Sequence, residues 1–114
     1  MPPRDWRFRI SDSLDSIERI QRYSSQLDQE SFRRNQLVVD AVIRNLAVIG
    51  EAARHVPEDV IARHPDLPWE DMRDMRNVVV HEYFGVSLDV IWSTIQHNLP
   101  PLVPVLRRIL EVET

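Results

Sequence analysis

Val38-Val39-Asp40-Ala41-Val42-Ile43-Arg44-Asn45-Leu46-Ala47-Val48-Ile49-Gly50-Glu51-Ala52-Ala53-Arg54-His55-Val56 is the stretch that decides the fold class. Val39, Val42, Leu46, Ile49, Ala53 and Val56 step by three or four residues without a break, which is one face of an α-helix carried as a heptad seam. Val38, Ala41, Val48 and Ala52 form a second apolar stripe, so this helix is expected at the centre of a bundle. Pro57 has no N–H to continue the hydrogen-bond ladder and ends it.

Toward the N-terminus, Ile10, Leu14, Ile17, Ile20 and Leu27 recur at roughly helical spacing. They predict a helix over 11–27 with Ser11 as N-cap and Ile10 and Leu14 stapling its start, which leaves 1–10 as an N-terminal extension. Toward the C-terminus, 56–68 contains three prolines and reads as a connector holding one helical turn around Glu58–Arg63. A third helix is expected from Pro68, with Glu70 and Asp71 complementing its N-terminus, Trp69, Met72, Met75 and Val79 on one stripe, and Gly85 at its end. Leu88, Ile91, Ile95, Leu99, Leu102, Leu106 and Ile109 follow Ser87 in one register. Because that register persists through Pro100 and Pro101, it predicts a kinked helix or two collinear pieces. Strand-like alternation and repeats are absent. The fold expected over 11–114 is a single all-α domain, an antiparallel bundle of four principal helices.

Composition narrows the chemistry. The chain has 114 residues, a net charge of −4, no cysteine and two glycines, and all fourteen of its basic Lys/Arg side chains are arginine. Disulfides, zinc ribbons and thiolate nucleophiles are excluded, as are lysine-based covalent chemistry and glycine-rich phosphate loops. A domain this short leaves much of its surface exposed, so pairing with itself or a partner is expected. No run of about 18 apolar residues exists, and MPPRDWRFRI is charged where a signal peptide is apolar. A soluble, cytoplasmic protein without membrane association is the expectation. The acidic balance speaks against a broad grip on nucleic acid but leaves room for a local positive cleft.

Polar groups gather in Met75-Arg76-Asn77-Val78-Val79-Val80-His81-Glu82-Tyr83-Phe84-Gly85. Three consecutive valines are poor helix formers, so packing has to hold this stretch helical. On such a helix Asn77 and His81 share a face, and Arg76 and Tyr83 share a neighbouring one. Arg76 and His81, five residues apart, stand about 140° apart and meet only around a groove; a second subunit can supply one. Histidine moves protons near neutral pH, and arginine grips phosphate through two hydrogen bonds. The pair suits RNA cleavage in which the substrate's own 2′-hydroxyl attacks, with no metal and no covalent enzyme intermediate. An arginine and a histidine five apart are also common without any function, since structural ion pairs perturb such groups as well.

The string from Pro68-Trp69 through Arg76-Asn77, His81, Tyr83 and Phe84-Gly85 resembles the HEPN superfamily and, within it, the HepT-like toxins. Asp40-Ala41-Val42-Ile43-Arg44-Asn45-Leu46, Ile49-Gly50-Glu51-Ala52-Ala53, Val90-Ile91-Trp92 and Leu99-Pro100 extend the resemblance from about Leu14 to Leu110. It implies a small all-helical toxin that works as a homodimer and cleaves RNA without a metal or cofactor. It further implies an antitoxin partner, an MntA-like nucleotidyltransferase that transfers AMP to the motif tyrosine. Carried over, Arg76 and His81 are the catalytic pair, Tyr83 is the AMPylation site and Asn77 orients His81. Adenylate on Tyr83 would add bulk and negative charge beside Arg76 and repel an RNA phosphate.

Glu51 pairs by spacing with Arg44 and with His55, and is expected to support the site through a salt bridge. Glu51 and His55 are four apart, and no second such pair and no paired-histidine zinc spacing exists, so no metal site is expected. His55, His64 and His97 read as exposed or capping residues. The doublets Arg33-Arg34 and Arg107-Arg108 read as solvated surface, and Trp69 and Trp92 as packing residues. Asp71, Asp74 and Glu82 motivate a different function class, a catalytically weak or inactive helical module that docks a nucleotidyltransferase.

Overall fold

Asp5 starts the first helix of the computed structural model, which describes residues 5–77 and 87–113. Its carboxylate accepts the Arg7 N–H at 2.9 Å and the Arg7 guanidinium at 2.9 and 3.2 Å. With that cap in place, α1 spans Trp6–Ser24. The start expected at Ser11 is therefore corrected to Trp6, because aspartate caps as well as serine and here gains a charge-assisted bond. Residues 6–10, read as an extension, are helical, and Ile10 is in the core. The helix ends at Ser24, whose hydroxyl donates to the Ile20 carbonyl at 2.7 Å, so Leu27 lies beyond it.

A short helix that the periodicity does not reveal, α2 (Gln29–Arg34), follows. It is set by a capping box in which Asp28 and Ser31 satisfy each other's backbone N–H groups. Its one buried residue, Phe32, packs its ring against Trp92 with centroids 5.3 Å apart. The seam quoted first forms α3 (Gln36–Arg54), capped by the Asn35 side chain accepting from Val38 N–H. Its five seam residues are all buried, as are Ile43 and Ala52, and the sixth seam residue, Val56, is buried just beyond the helix end. Val38 and Ala41 are half-buried and Val48 is exposed, so the second stripe is only partly covered.

The predicted turn of helix is α4, Glu58–Arg63, and α5 is Trp69–Asp74 with Pro68 as its N-cap. Trp69 is buried and its indole N–H donates to the His64 carbonyl at 2.8 Å. The last apolar stripe is α6 (Leu88–Ser93), a π-helical turn Thr94–Asn98, and α7 (Leu102–Val112). Pro100 and Pro101 remove two donors from the ladder, and the backbone widens ahead of them so that Leu99 N–H reaches the Thr94 carbonyl. The helix is thus interrupted at 99–101, and Ile91, Ile95, Leu99, Leu102, Leu106 and Ile109 remain buried on both sides of the break.

Among the described residues there is no strand. The architecture is an all-α bundle in which α1 lies along α3, α5 packs on α3, and α7 packs on α1. Each fully buried Ile, Leu or Val of this core is worth about 1.5–3 kcal/mol relative to exposure. No helix among the described residues is long and apolar enough to cross a membrane.

Candidate functional site

Gly50 is the point on which the site is built. A Cβ at this position of α3 would lie 2.4 Å from the Arg76 backbone nitrogen, 2.8 Å from the Arg76 Cβ and 3.0 Å from the Arg73 carbonyl oxygen. The two backbones touch because residue 50 has no side chain. At this contact the α-helical ladder of α5 gives out: Met75 N–H bonds to the Met72 carbonyl at 3.2 Å and Arg76 N–H to that of Arg73 at 3.3 Å, both three-residue closures. The expectation of one unbroken third helix is corrected here. Arg76 sits in a turn after Asp74, and the cause is a tertiary contact that periodicity does not carry.

That turn presents Arg76 to solvent beside the next residue of α3. Its Nη1 lies 3.3 Å from Glu51 Oε2, the side chains being 50% and 44% exposed. The other carboxylate oxygen lies 3.7 Å from His55 Nδ1, which is also 2.8 Å from the Glu51 carbonyl oxygen. Glu51 therefore joins Arg76 and His55. The expected partnership with His55 is present at long range, whereas that with Arg44 is absent. Seven residues are two helical turns, about 10 Å along the axis, and Glu51 turns to Arg76 instead. Asn77 is exposed, and its side chain bonds to no described residue. His81 and Tyr83 lie outside the described residues, as do Glu82 and the helix end expected at Gly85.

The surface around Arg76 is mixed in charge. Arg73 pairs with Glu58 at 3.3 Å, and an open cleft between α5 and the π-helical turn is lined by Asp71, Asp74, Met75, Thr94 and Asn98. The arginine doublets are ion-paired surface, as their bland reading expects: Arg33 with Asp89, Arg34 with Glu30, Arg107 with Glu18 and Arg108 with Asp66. Trp69 and Trp92 are packing residues. His55 and His64 occupy the C-caps of α3 and α4, and His97 is exposed.

Two features escaped the sequence. The first is the Gly50 contact, whose one signal was a lone glycine inside an otherwise strong helix, about 1 kcal/mol worse there than alanine. The second is a tight trio at the end of α7. Glu113 accepts Arg63 Nε and Nη2, both at 3.0 Å, and lies 2.7 Å from His64 Nε2. Hydrogen bonds from Arg63 and then His64 hold its carboxyl down at about 2, against an ordinary 4.5. Nothing in the spacing of residues 63, 64 and 113 announces that contact.

Comparison with known proteins gives this arrangement a context. The family model described as "Ribonuclease HepT-like" matches residues 13–109. Among curated relatives, "Probable ribonuclease HepT" of Thermococcus cleftensis is 37% identical over 93 residues, covering 82% of this chain and 84% of that protein. "Putative RNase MJ0127" of Methanocaldococcus jannaschii is 34% identical over 100 residues, 88% of this chain and 83% of that protein. "Putative RNase TTE0752" of Caldanaerobacter subterraneus is 36% identical over 84 residues, 74% and 75% respectively. No solved structure matches.

Proposed function

The chain belongs to the HepT-like ribonuclease family, and from that premise we propose that it is a metal-independent endoribonuclease toxin acting through Arg76 and His81 as a homodimer. The observation that carries this reading is the seating of Arg76. Backbone contact with Gly50 fixes its turn, while a single exposed carboxylate holds its guanidinium at the surface. A cation so placed is open to a phosphate, which takes two hydrogen bonds where Glu51 is given one contact.

In the proposed reaction the substrate's 2′-oxygen attacks the adjacent phosphorus and loses its proton to water. The 5′-oxygen leaves with a proton from His81, and the products are a 2′,3′-cyclic phosphate and a 5′-hydroxyl. Arg76 stabilises the charge that builds on the non-bridging oxygens. Glu51 keeps Arg76 oriented between encounters, and Asn77 orients His81. Cleavage of RNA in EDTA tests the assignment. Arg76→Ala should lose about 10²–10³ in rate and His81→Ala about 10²–10⁴; equal rates in all three proteins refute it.

Regulation is proposed to follow the same site. The Tyr83 oxygen attacks the α-phosphorus of ATP on an MntA-like nucleotidyltransferase, pyrophosphate leaves, and the adenylate blocks approach to Arg76. Intact-mass analysis after incubation with the partner and ATP should show added adenylate that disappears in Tyr83→Phe. The acidic cleft at Asp71 and Asp74 favours a second reading, a module that docks the nucleotidyltransferase without turnover. That reading predicts a stable complex and no growth arrest on expression, and arrest dependent on His81 rules it out.

A further inference from the structure

Where the end of α3 meets α4 and α5, an open cleft of about 560 Å³ is lined by Arg54, Glu58, Glu70, Arg73 and Asp74. Arg54 is the last residue of α3, one helical turn past Gly50. Arg73 is the residue whose carbonyl meets Gly50 and accepts the Arg76 N–H. The cleft therefore lies toward the start of α5, before the Arg76 turn in the direction of the chain.

Its two cations are loosely held. Arg54 is exposed and forms no ion pair with any described residue. Arg73 has one contact, Nη2 to Glu58 Oε1 at 3.3 Å, on a carboxylate that is 85% exposed. Its Nε is buried without a hydrogen-bond partner among the described residues, a cost that a better acceptor would relieve. The turn from Arg73 to Arg76 closes over three residues, the spacing at which side chains stand over one another. Two guanidiniums so stacked reach successive phosphates of one strand.

We propose that Arg54 and Arg73 form a second phosphate subsite, which holds the RNA phosphate next to the one gripped by Arg76. The proposal rests on the reading of Arg76 as the phosphate-binding cation. Glu58 gives up Arg73 to the phosphodiester, which accepts from two guanidinium N–H groups at once, and an exposed pair of this kind contributes little. Glu70 and Asp74 stay on the rim, so the cleft carries three carboxylates against two arginines. That balance does not recruit a polyanion from a distance. The grip is a short-range fork on one phosphate, and its work is to position the strand.

Steady-state cleavage of two substrates by the full chain tests the subsite. One is a dinucleotide with a single phosphate. The other is a tetranucleotide whose only 2′-hydroxyl lies at the central linkage, so that the cut bond has a phosphate on each side. Arg54→Ala and Arg73→Gln should each raise KM for the tetranucleotide about tenfold, the loss of one charge-assisted contact, with kcat retained and the dinucleotide unaffected. Replacing one flanking phosphate by an uncharged methylphosphonate should raise the wild-type KM by a similar factor and add little in Arg54→Ala. A KM change shared by both substrates, or no change in either, overturns the subsite. Binding of a 2′-O-methyl decanucleotide, which cannot be cut, separates it from the ribonuclease reading. Each variant should bind more weakly and lower the slope of log affinity against log salt by about 0.7. That pattern without cleavage in any sample fails the ribonuclease reading alone, and cleavage by all three proteins with unchanged binding fails the subsite alone. Arg54→Ala removes an exposed side chain without an ion pair and should melt like wild type, which separates its loss of binding from misfolding.

Discussion

Arg63, Glu113 and His64 near the end of α7, and Arg76, Glu51 and His55 beside the end of α5, are the same three residue types in two settings. Around Glu113 the arginine is bidentate at 3.0 Å, the histidine is 2.7 Å away and the carboxylate is 18% exposed. Around Glu51 the contacts are 3.3 and 3.7 Å and the carboxylate is 44% exposed. Composition does not separate these trios; geometry does. Where one arginine occupies both carboxylate oxygens and the carboxylate is mostly covered, the arginine is committed to holding α4 to α7. Where a single longer contact faces solvent, the cation remains exchangeable, which a phosphate-binding arginine requires.

Pushing the loose trio apart should have the largest effect on stability. Gly50→Ala places a methyl against the Arg76 backbone, and overpacking of this kind costs about 1–3 kcal/mol. Urea unfolding reads the loss, and cleavage should fall with it because the Arg76 turn is displaced. Loosening the tight trio gives a pH-dependent effect. The Glu113 carboxyl is depressed in the folded chain, so its contribution is present above about 4.5 and is lost as pH falls toward 2. Glu113→Gln should therefore be less stable than wild type at neutral pH, with the difference closing between those values in acid titrations.

Between the trios, Trp69 ties α5 to the cap of α4 through its indole N–H. Trp69→Phe should cost about 0.5–1.5 kcal/mol in thermal unfolding for the lost hydrogen bond. Arg107→Ala removes an exposed pair that belongs to neither trio. It should change stability by no more than about 0.5 kcal/mol and leave cleavage as it was. A large loss of cleavage there would mean that the doublet belongs to the RNA track.

Residues whose partners are close in sequence were readable from the chain alone. The α3 seam, its end before Pro57, the single turn Glu58–Arg63 and the buried stripe 88–109 all follow from local spacing and proline chemistry. Helix α2 was hidden because six residues with one buried side chain make no period. The start of α1 was hidden because Ser11 and Asp5 are equally good caps, and only the Arg7 side chain distinguishes them. Glu51 was recognisable as a salt-bridging carboxylate, but its arginine was not. Arg76 reaches it through a helix contact at Gly50, twenty-six residues away in sequence, which no local rule encodes.

The comparison of the two trios is tested most directly by truncating the arginine of each, with cleavage and melting midpoint measured on the same preparations. Arg63→Ala should lower the midpoint and retain cleavage, and Arg76→Ala should retain the midpoint and lose cleavage. If Arg76→Ala melts like wild type and still cleaves RNA at the wild-type rate, the assignment of the exposed trio as the working site is wrong.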